Sequence, residues 1–155
     1  KCRISPVSAS VWPPLPGRAE GFQRAMWKYR LPLNPDWQKT VGAEPSAYIR
    51  ELLFSLTRPG AVILGSCGYA ETLYAVAAEL KLEIPRDLSV VSIDEDAKML
   101  TLPEPPSAFR VDFAALTREG SETLLARLEQ REPAAGRERN FEFVDRGTCM
   151  AIPVK

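Results

Sequence analysis

Hydrophobic residues in this chain alternate between short solid runs and stripes at helical spacing. Leu88 to Ile93 is a mostly apolar run rich in Val and Ile, which suits a parallel strand covered on both faces. Ala61-Val62-Ile63-Leu64-Gly65 is a second such run, bounded by Pro59-Gly60 and Ser66. Between them, Tyr69 to Leu82 places Tyr69, Leu73, Val76, Ala77 and Leu80 on one helical stripe, and Ile84-Pro85 is expected to end that helix. These pieces read as a βαβ unit. Ser46 to Leu56, with Pro45 at its start and Tyr48, Ile49, Leu52, Leu53 and Leu56 on one face, predicts the helix that crosses into the earlier strand. Arg18 to Leu31 carries Ala19, Phe22, Met26 and Tyr29 on a stripe, a further amphipathic helix. Near the C-terminus, Asp112 can cap a helix in which Phe113, Leu116, Gly120, Leu124 and Leu128 share a face, with the polar loop from Gln130 to Asn140 ending it.

Composition narrows the function classes. The chain has 155 residues, 45% of them hydrophobic, which is enough for one domain with a real core. Its charge is balanced, 20 Lys+Arg against 20 Asp+Glu, and no basic cluster offsets that balance, so this segment is not expected to grip DNA by itself. No apolar run reaches membrane-spanning length and Lys1 to Pro6 is no signal peptide, so the expectation is a cytoplasmic segment with no membrane partner.

Chemistry is thinly represented. With no His in the chain, zinc sites and imidazole-based catalysis are excluded, and Cys2, Cys67 and Cys149 lack a metal-type spacing. Neither Ser66 nor Cys67 has a general base of the usual kind. Gly65-Ser66-Cys67-Gly68 follows a strand but lacks both the Walker lysine and the third glycine of a dinucleotide loop, so no cofactor is expected. The informative piece is Arg86 to Asp96, where a buried strand ends in Asp94-Glu95-Asp96. Open α/β sheets bind ligands outside the carboxyl ends of their strands, which is where Asp94 falls. Ligand sensing is one reading; a magnesium site on the acidic triplet is the enzyme-like alternative, and it needs further carboxylates from a neighbouring strand end.

Five segments occur in a telling order and spacing: Gly17-Arg18-Ala19-Glu20-Gly21-Phe22; Ala61 to Leu64 followed by a helix; Ile84-Pro85-Arg86-Asp87-Leu88-Ser89-Val90-Val91-Ser92-Ile93-Asp94-Glu95; Pro105-Pro106; and Phe143-Val144-Asp145-Arg146-Gly147-Thr148. In these the chain resembles the lactose-repressor and galactose-repressor (LacI/GalR) family of bacterial transcription regulators, from about Ile4 to Thr148. The resemblance implies a three-layer α/β/α sandwich with a mainly parallel sheet, one lobe of a periplasmic-binding-protein type I-like fold. Residues 1–111 and 141–155 would form the C-terminal effector-binding lobe. Residues 112–140 would be a helix and loop that in relatives pack on an N-terminal lobe absent from this chain. Ala108 to Val111 and Phe141 to Val144 would be crossover strands between lobes. Without that lobe, the apolar face of residues 113–128 is expected to be disordered, repacked or buried against another copy.

The same resemblance implies a non-enzymatic sensor of a small-molecule effector, a sugar or sugar derivative, acting as a homodimer and reaching DNA only through a helix-turn-helix domain outside this chain. It places effector-binding roles on Arg18 and Asp94. A guanidinium offers a fixed fork of donors and an ionised Asp accepts only, so the two together can read a polyol; a plain Arg18 pair with Asp94 or Glu20 is the competing reading. Ser66 and Cys67 stand where many relatives have Asn-Asp, losing a carboxylate, and Ala43 stands where relatives often have a stacking aromatic ring. Trp12, in the Pro-rich loop after the first strand, is the candidate substitute, or else an exposed or interface tryptophan. Pro6 interrupts the expected central strand Arg3 to Ser8, predicting a bulge or shortening. The loop from Glu95 to Pro106 carries Met99, Leu100 and Leu102, either as a dimer contact or as an intramolecular lid. A periplasmic sugar-binding protein of the same fold is the nearest rival, separated by whether a signal peptide or a helix-turn-helix precedes Lys1.

Overall fold

A computed structural model of the chain describes residues 4–7, 16–34, 45–136 and 141–150. Its frame is a five-stranded sheet in sequence order: β1 (Ile4–Val7), β2 (Ala61–Leu64), β3 (Ser89–Ser92), β4 (Ser107–Arg110) and β5 (Glu142–Val144). The first three pairings made along the sheet are parallel and the last, β4 with β5, is antiparallel. Helix α1 (Pro16–Lys28) and helix α2 (Pro45–Phe54) lie between β1 and β2, α3 (Ala70–Glu79) joins β2 to β3, and α4 (Phe113–Leu128) separates β4 from β5. The expected α/β fold with a mainly parallel sheet is the one observed.

Strand alternation decides what is buried. Val62 and Leu64 of β2 stand in register with Val90 and Ser92 of β3, so the four share a face. That face packs against Ile49, Leu52 and Leu53 of α2 and Leu73 and Val76 of α3, the stripes visible in the sequence. Ile63 and Val91 point the other way and are only partly buried. Among the described side chains of α1 only Met26 is fully buried; Phe22 is half-buried, while Ala19 and Tyr29, expected on the same stripe, are exposed.

Helices stop earlier than the sequence suggests. After α3 the chain turns at Lys81, whose φ of 56° is left-handed, and Leu82 N–H returns to Ala77 O at 2.9 Å. Termination is thus local and precedes Pro85. Arg30 after α1 and Gln130 after α4 make the same turn at φ 52° and 55°, with Leu31 N–H on Met26 O and Arg131 N–H on Ala126 O.

Three expectations change. Of the bulge or shortening expected at Pro6 there is no bulge, since the ladder runs straight through it opposite Ile63; the expected strand ends Arg3 and Ser8 lie outside the described residues. Among the described residues β1 is an edge strand and not a central one, and an edge is where a missing N–H costs least. Of the three outcomes expected for residues 113–128 (disorder, repacking, or burial against another copy), disorder is not the one observed: helix α4 is formed, with Asp112 Oδ1 accepting Ala115 N–H at 2.9 Å. Its buried residues are Ala115 and Ala126, while the predicted face of Phe113, Leu116, Leu124 and Leu128 is open to solvent.

The sheet is completed by a wedge. β3 meets β4 over only two pairs, Val91 with Ser107 and Ser92 with Ala108, since Pro105 and Pro106 below them have no N–H to give. Thr148 fills the gap: its backbone oxygen accepts Val90 N–H at 2.8 Å. Its hydroxyl donates to Val90 O at 2.7 Å and accepts from Ser107 N–H at 2.7 Å.

Candidate functional site

Parallel strands bring their carboxyl ends to one rim, and the chain places its charged residues there. β2 leads into Gly65-Ser66-Cys67, β3 leads into Ile93-Asp94, and α1 starts at the same rim with Arg18 in its first turn. Arg18 Nη1 lies 3.5 Å from Asp94 Oδ2 and also donates to Gly65 O. The other Asp94 oxygen accepts Cys67 N–H at 2.6 Å. The two residues singled out from the sequence therefore meet at the strand rim, Arg18 the more exposed of the pair and Asp94 mostly shielded. The bland reading of an Arg18 to Asp94 ion pair describes the same contact; Arg18 to Glu20 does not, because Glu20 pairs with Arg24.

Ser66 and Cys67 sit beside this pair in supporting positions. Ser66 Oγ caps a short 3-10 turn by accepting Gly68 N–H at 3.4 Å. The Cys67 thiol is buried, and burial together with the nearby Asp94 and Asp96 carboxylates pushes its pKa up to about 12. It is a filler and not a nucleophile. Trp12 and Ala43 lie outside the described residues.

The acidic triplet splits three ways. Asp94 serves Cys67 N–H and Arg18, and Asp96 Oδ1 caps the 3-10 turn Met99–Thr101 by accepting Met99 N–H at 2.6 Å. Glu95 turns away from both: Oε1 takes Arg110 Nε at 2.6 Å and Oε2 takes Arg146 Nη2 at 2.5 Å. Burial alone would raise its pKa, but hydrogen bonds from Arg110 and Arg146 and their charges hold it below the ordinary carboxylate range. Carboxylates committed to separate partners do not converge on one cation, and among the described residues no group of three His, Cys, Asp or Glu could hold a metal ion. The magnesium alternative loses its donor set.

Sequence reasoning missed Glu95, Arg110 and Arg146 as a unit, since their separations of 15 and 51 residues leave no local signal. The loop after Asp94 mostly folds on its own core: Met99 is buried and Leu102 packs against the core, while Leu100 alone of the three is exposed. That favours the intramolecular lid over a partner contact for Met99 and Leu102. The loop borders a small open pocket of about 70 Å³ lined by Cys67, Asp96, Met99 and Leu102 among others, with Lys98 paired to Glu71 at 2.8 Å at its edge. Such a volume takes a few waters and not a sugar.

These features match known proteins. Residues 10–149 match the periplasmic binding protein-like domain family. The ribose operon repressor of Haemophilus influenzae is 30% identical over 115 residues, 72% of this chain and 35% of that repressor. The transcriptional repressor PurR of Yersinia pestis bv. Antiqua is 33% identical over 81 residues, 50% of this chain and 24% of its own length. Among solved structures, a LacI regulator from Bacillus cereus subsp. cytotoxis superposes with TM-score 0.85 at 16% identity, over 97% of this chain and 55% of that one. A LacI-family regulatory protein from Chloroflexus aggregans gives 0.76 at 26% identity, over 85% and 49%. The chain thus spans about a third or less of the curated relatives it matches and about half of the solved ones. On the sheet, the rim and these likenesses together, the chain belongs to the periplasmic binding protein-like family and corresponds to the effector-binding part of its LacI/GalR regulators.

Proposed function

We propose that the chain is the ligand-sensing lobe of a LacI/GalR-type transcriptional regulator, and that Arg18 and Asp94 hold a small polyhydroxylated effector, a sugar or sugar derivative. The observation that carries this reading is their convergence at the strand rim, with Asp94 anchored by Cys67 N–H so that its second oxygen faces Arg18. An entering hydroxyl pair can replace that 3.5 Å contact, one oxygen accepting from the guanidinium and the other donating to the carboxylate. Ser66 adds a hydroxyl at the edge, Cys67 contributes its backbone more than its thiol, and Trp12 is the candidate stacking ring.

The remaining parts of the reading follow from surface and charge. The open face of α4 is the surface on which a second lobe would sit, with β4 and β5 as strands leading to and from it. Ligand closure of the two lobes would then shift a population between two arrangements of the regulator. DNA contact falls to a helix-turn-helix domain outside this chain, because a formal charge of +0 supplies no phosphate affinity here. We read the regulator as a cytoplasmic homodimer and as non-enzymatic, the relatives being named as repressors. That naming also favours a regulator over a periplasmic binder of the same fold.

Saturation-transfer NMR of the chain with a panel of pentoses, hexoses and their phosphates tests the site. At least one member is expected to bind, and binding is expected to be lost in Arg18→Met and Asp94→Asn. Binding that survives both substitutions removes the assigned site.

A further inference from the structure

We infer that Glu95 is a latch: it locks the β4–β5 ribbon to the end of the strand that carries Asp94, so that ribbon and rim move as one. The observations are geometric. Backbone pairing between β3 and β4 is only two residues long and ends where β3 itself ends, at Ser92 with Ala108. Beyond that point the two strands are joined by side chains. Glu95, 8% exposed, holds Arg110 at the end of β4 with one oxygen and Arg146, just after β5, with the other. Arg110 Nη1 also reaches Glu142 of β5 at 3.4 Å, and Arg146 Nη1 donates to Pro106 O at 2.9 Å. A single shielded carboxylate thus gathers β4, β5 and the loop before β4, and it is the residue next to the one that accepts Cys67 N–H.

The physics makes both contacts matter. A shielded carboxylate that loses one of its two guanidinium partners keeps its full desolvation cost with only half the compensation, so weakening either contact weakens the node. If the ribbon swings relative to the sheet, the two arginines pull on Glu95, and the one-residue tether passes the displacement to Asp94. Relevance of that displacement to an effector rests on the function proposed above; the latch itself does not.

Hydrogen exchange followed by NMR on the chain without ligand separates the two. Glu95→Gln is expected to speed exchange of the Phe109 and Phe143 amides and of the Cys67 amide by roughly tenfold, with the Val62 amide in the core of the sheet unchanged. Arg110→Lys, which keeps the charge, is expected to restore most of the protection that Arg110→Met loses. Uniform acceleration across the sheet would mean global destabilisation and overturn the latch. Faster exchange in β4 and β5 with Cys67 unaffected would overturn the coupling to the rim, and no change anywhere would overturn both. A latch that passes this test while no sugar binds would leave the fold device standing and sink the effector reading alone.

Discussion

Thr148 bridges the ends of β3 and β4 that do not pair directly. Its hydroxyl serves a buried acceptor, Val90 O, and a buried donor, Ser107 N–H, each at 2.7 Å. Thr148→Val keeps the shape, strands Ser107 N–H and leaves Val90 O with only the weak Cys149 thiol donor at 3.5 Å, so a loss of about 2–3 kcal/mol is expected in urea unfolding, more than the ordinary hydrogen-bond value because both partners stay buried. Glu95 makes a second residue-scale prediction. Its folded pKa lies below the unfolded one, so its stabilising contribution is present above the unfolded carboxylate range and is lost as pH falls through the depressed folded value. The urea midpoints of the parent and Glu95→Gln, well separated at neutral pH, are expected to converge in acid; a gap that persists there contradicts the ion-pair account. Cys67 is expected to be inert for a different reason. With a pKa of about 12 only on the order of one molecule in ten thousand is thiolate at pH 8, so iodoacetamide labelling read by peptide mass should mark Cys67 only after unfolding.

At the scale of elements, local pattern was a good guide wherever burial was local. The stripes of α2 and α3 and the solid runs of β2 and β3 are where the sequence places them, because each buries against its chain neighbour in a βαβ unit. Boundaries were poorer, since helix ends are set by left-handed turns at Arg30, Lys81 and Gln130 that no glycine announces. Those positions carry a testable cost: glycine at Lys81 or Gln130 is expected to stabilise by about 0.5–1 kcal/mol, as a Cβ disfavours that backbone region. The convergence of Arg18 with Asp94 was legible through motif order, whereas the Thr148 wedge and the Glu95 node were not, because they join residues 41 to 58 and 15 to 51 positions apart. The α4 stripe was legible as a pattern and misleading as to outcome. Leu124 and Leu128 are 60% and 71% exposed, so Leu124→Lys or Leu128→Glu is expected to change unfolding free energy by no more than about 0.5 kcal/mol, while Leu73→Ala, fully buried, costs roughly 2–5 kcal/mol.

For the whole molecule, one lobe-sized sheet carries two kinds of charge at its rim: a partly exposed pair, Arg18 with Asp94, and a shielded carboxylate, Glu95, held by Arg110 and Arg146. Under the proposed function the first would exchange its partner for a ligand while the second keeps its own, joining the proposed site to a strand pair that can report it. The account therefore rests on the rim pair opening to a ligand. Amide chemical shifts of Ser66 and Cys67 recorded while a monosaccharide found to bind is titrated into the chain test this most directly. Saturable movement of both signals in the parent, absent from Asp94→Asn, is the predicted result. A bound sugar that leaves both signals unmoved, or moves them equally in Asp94→Asn, would contradict the account.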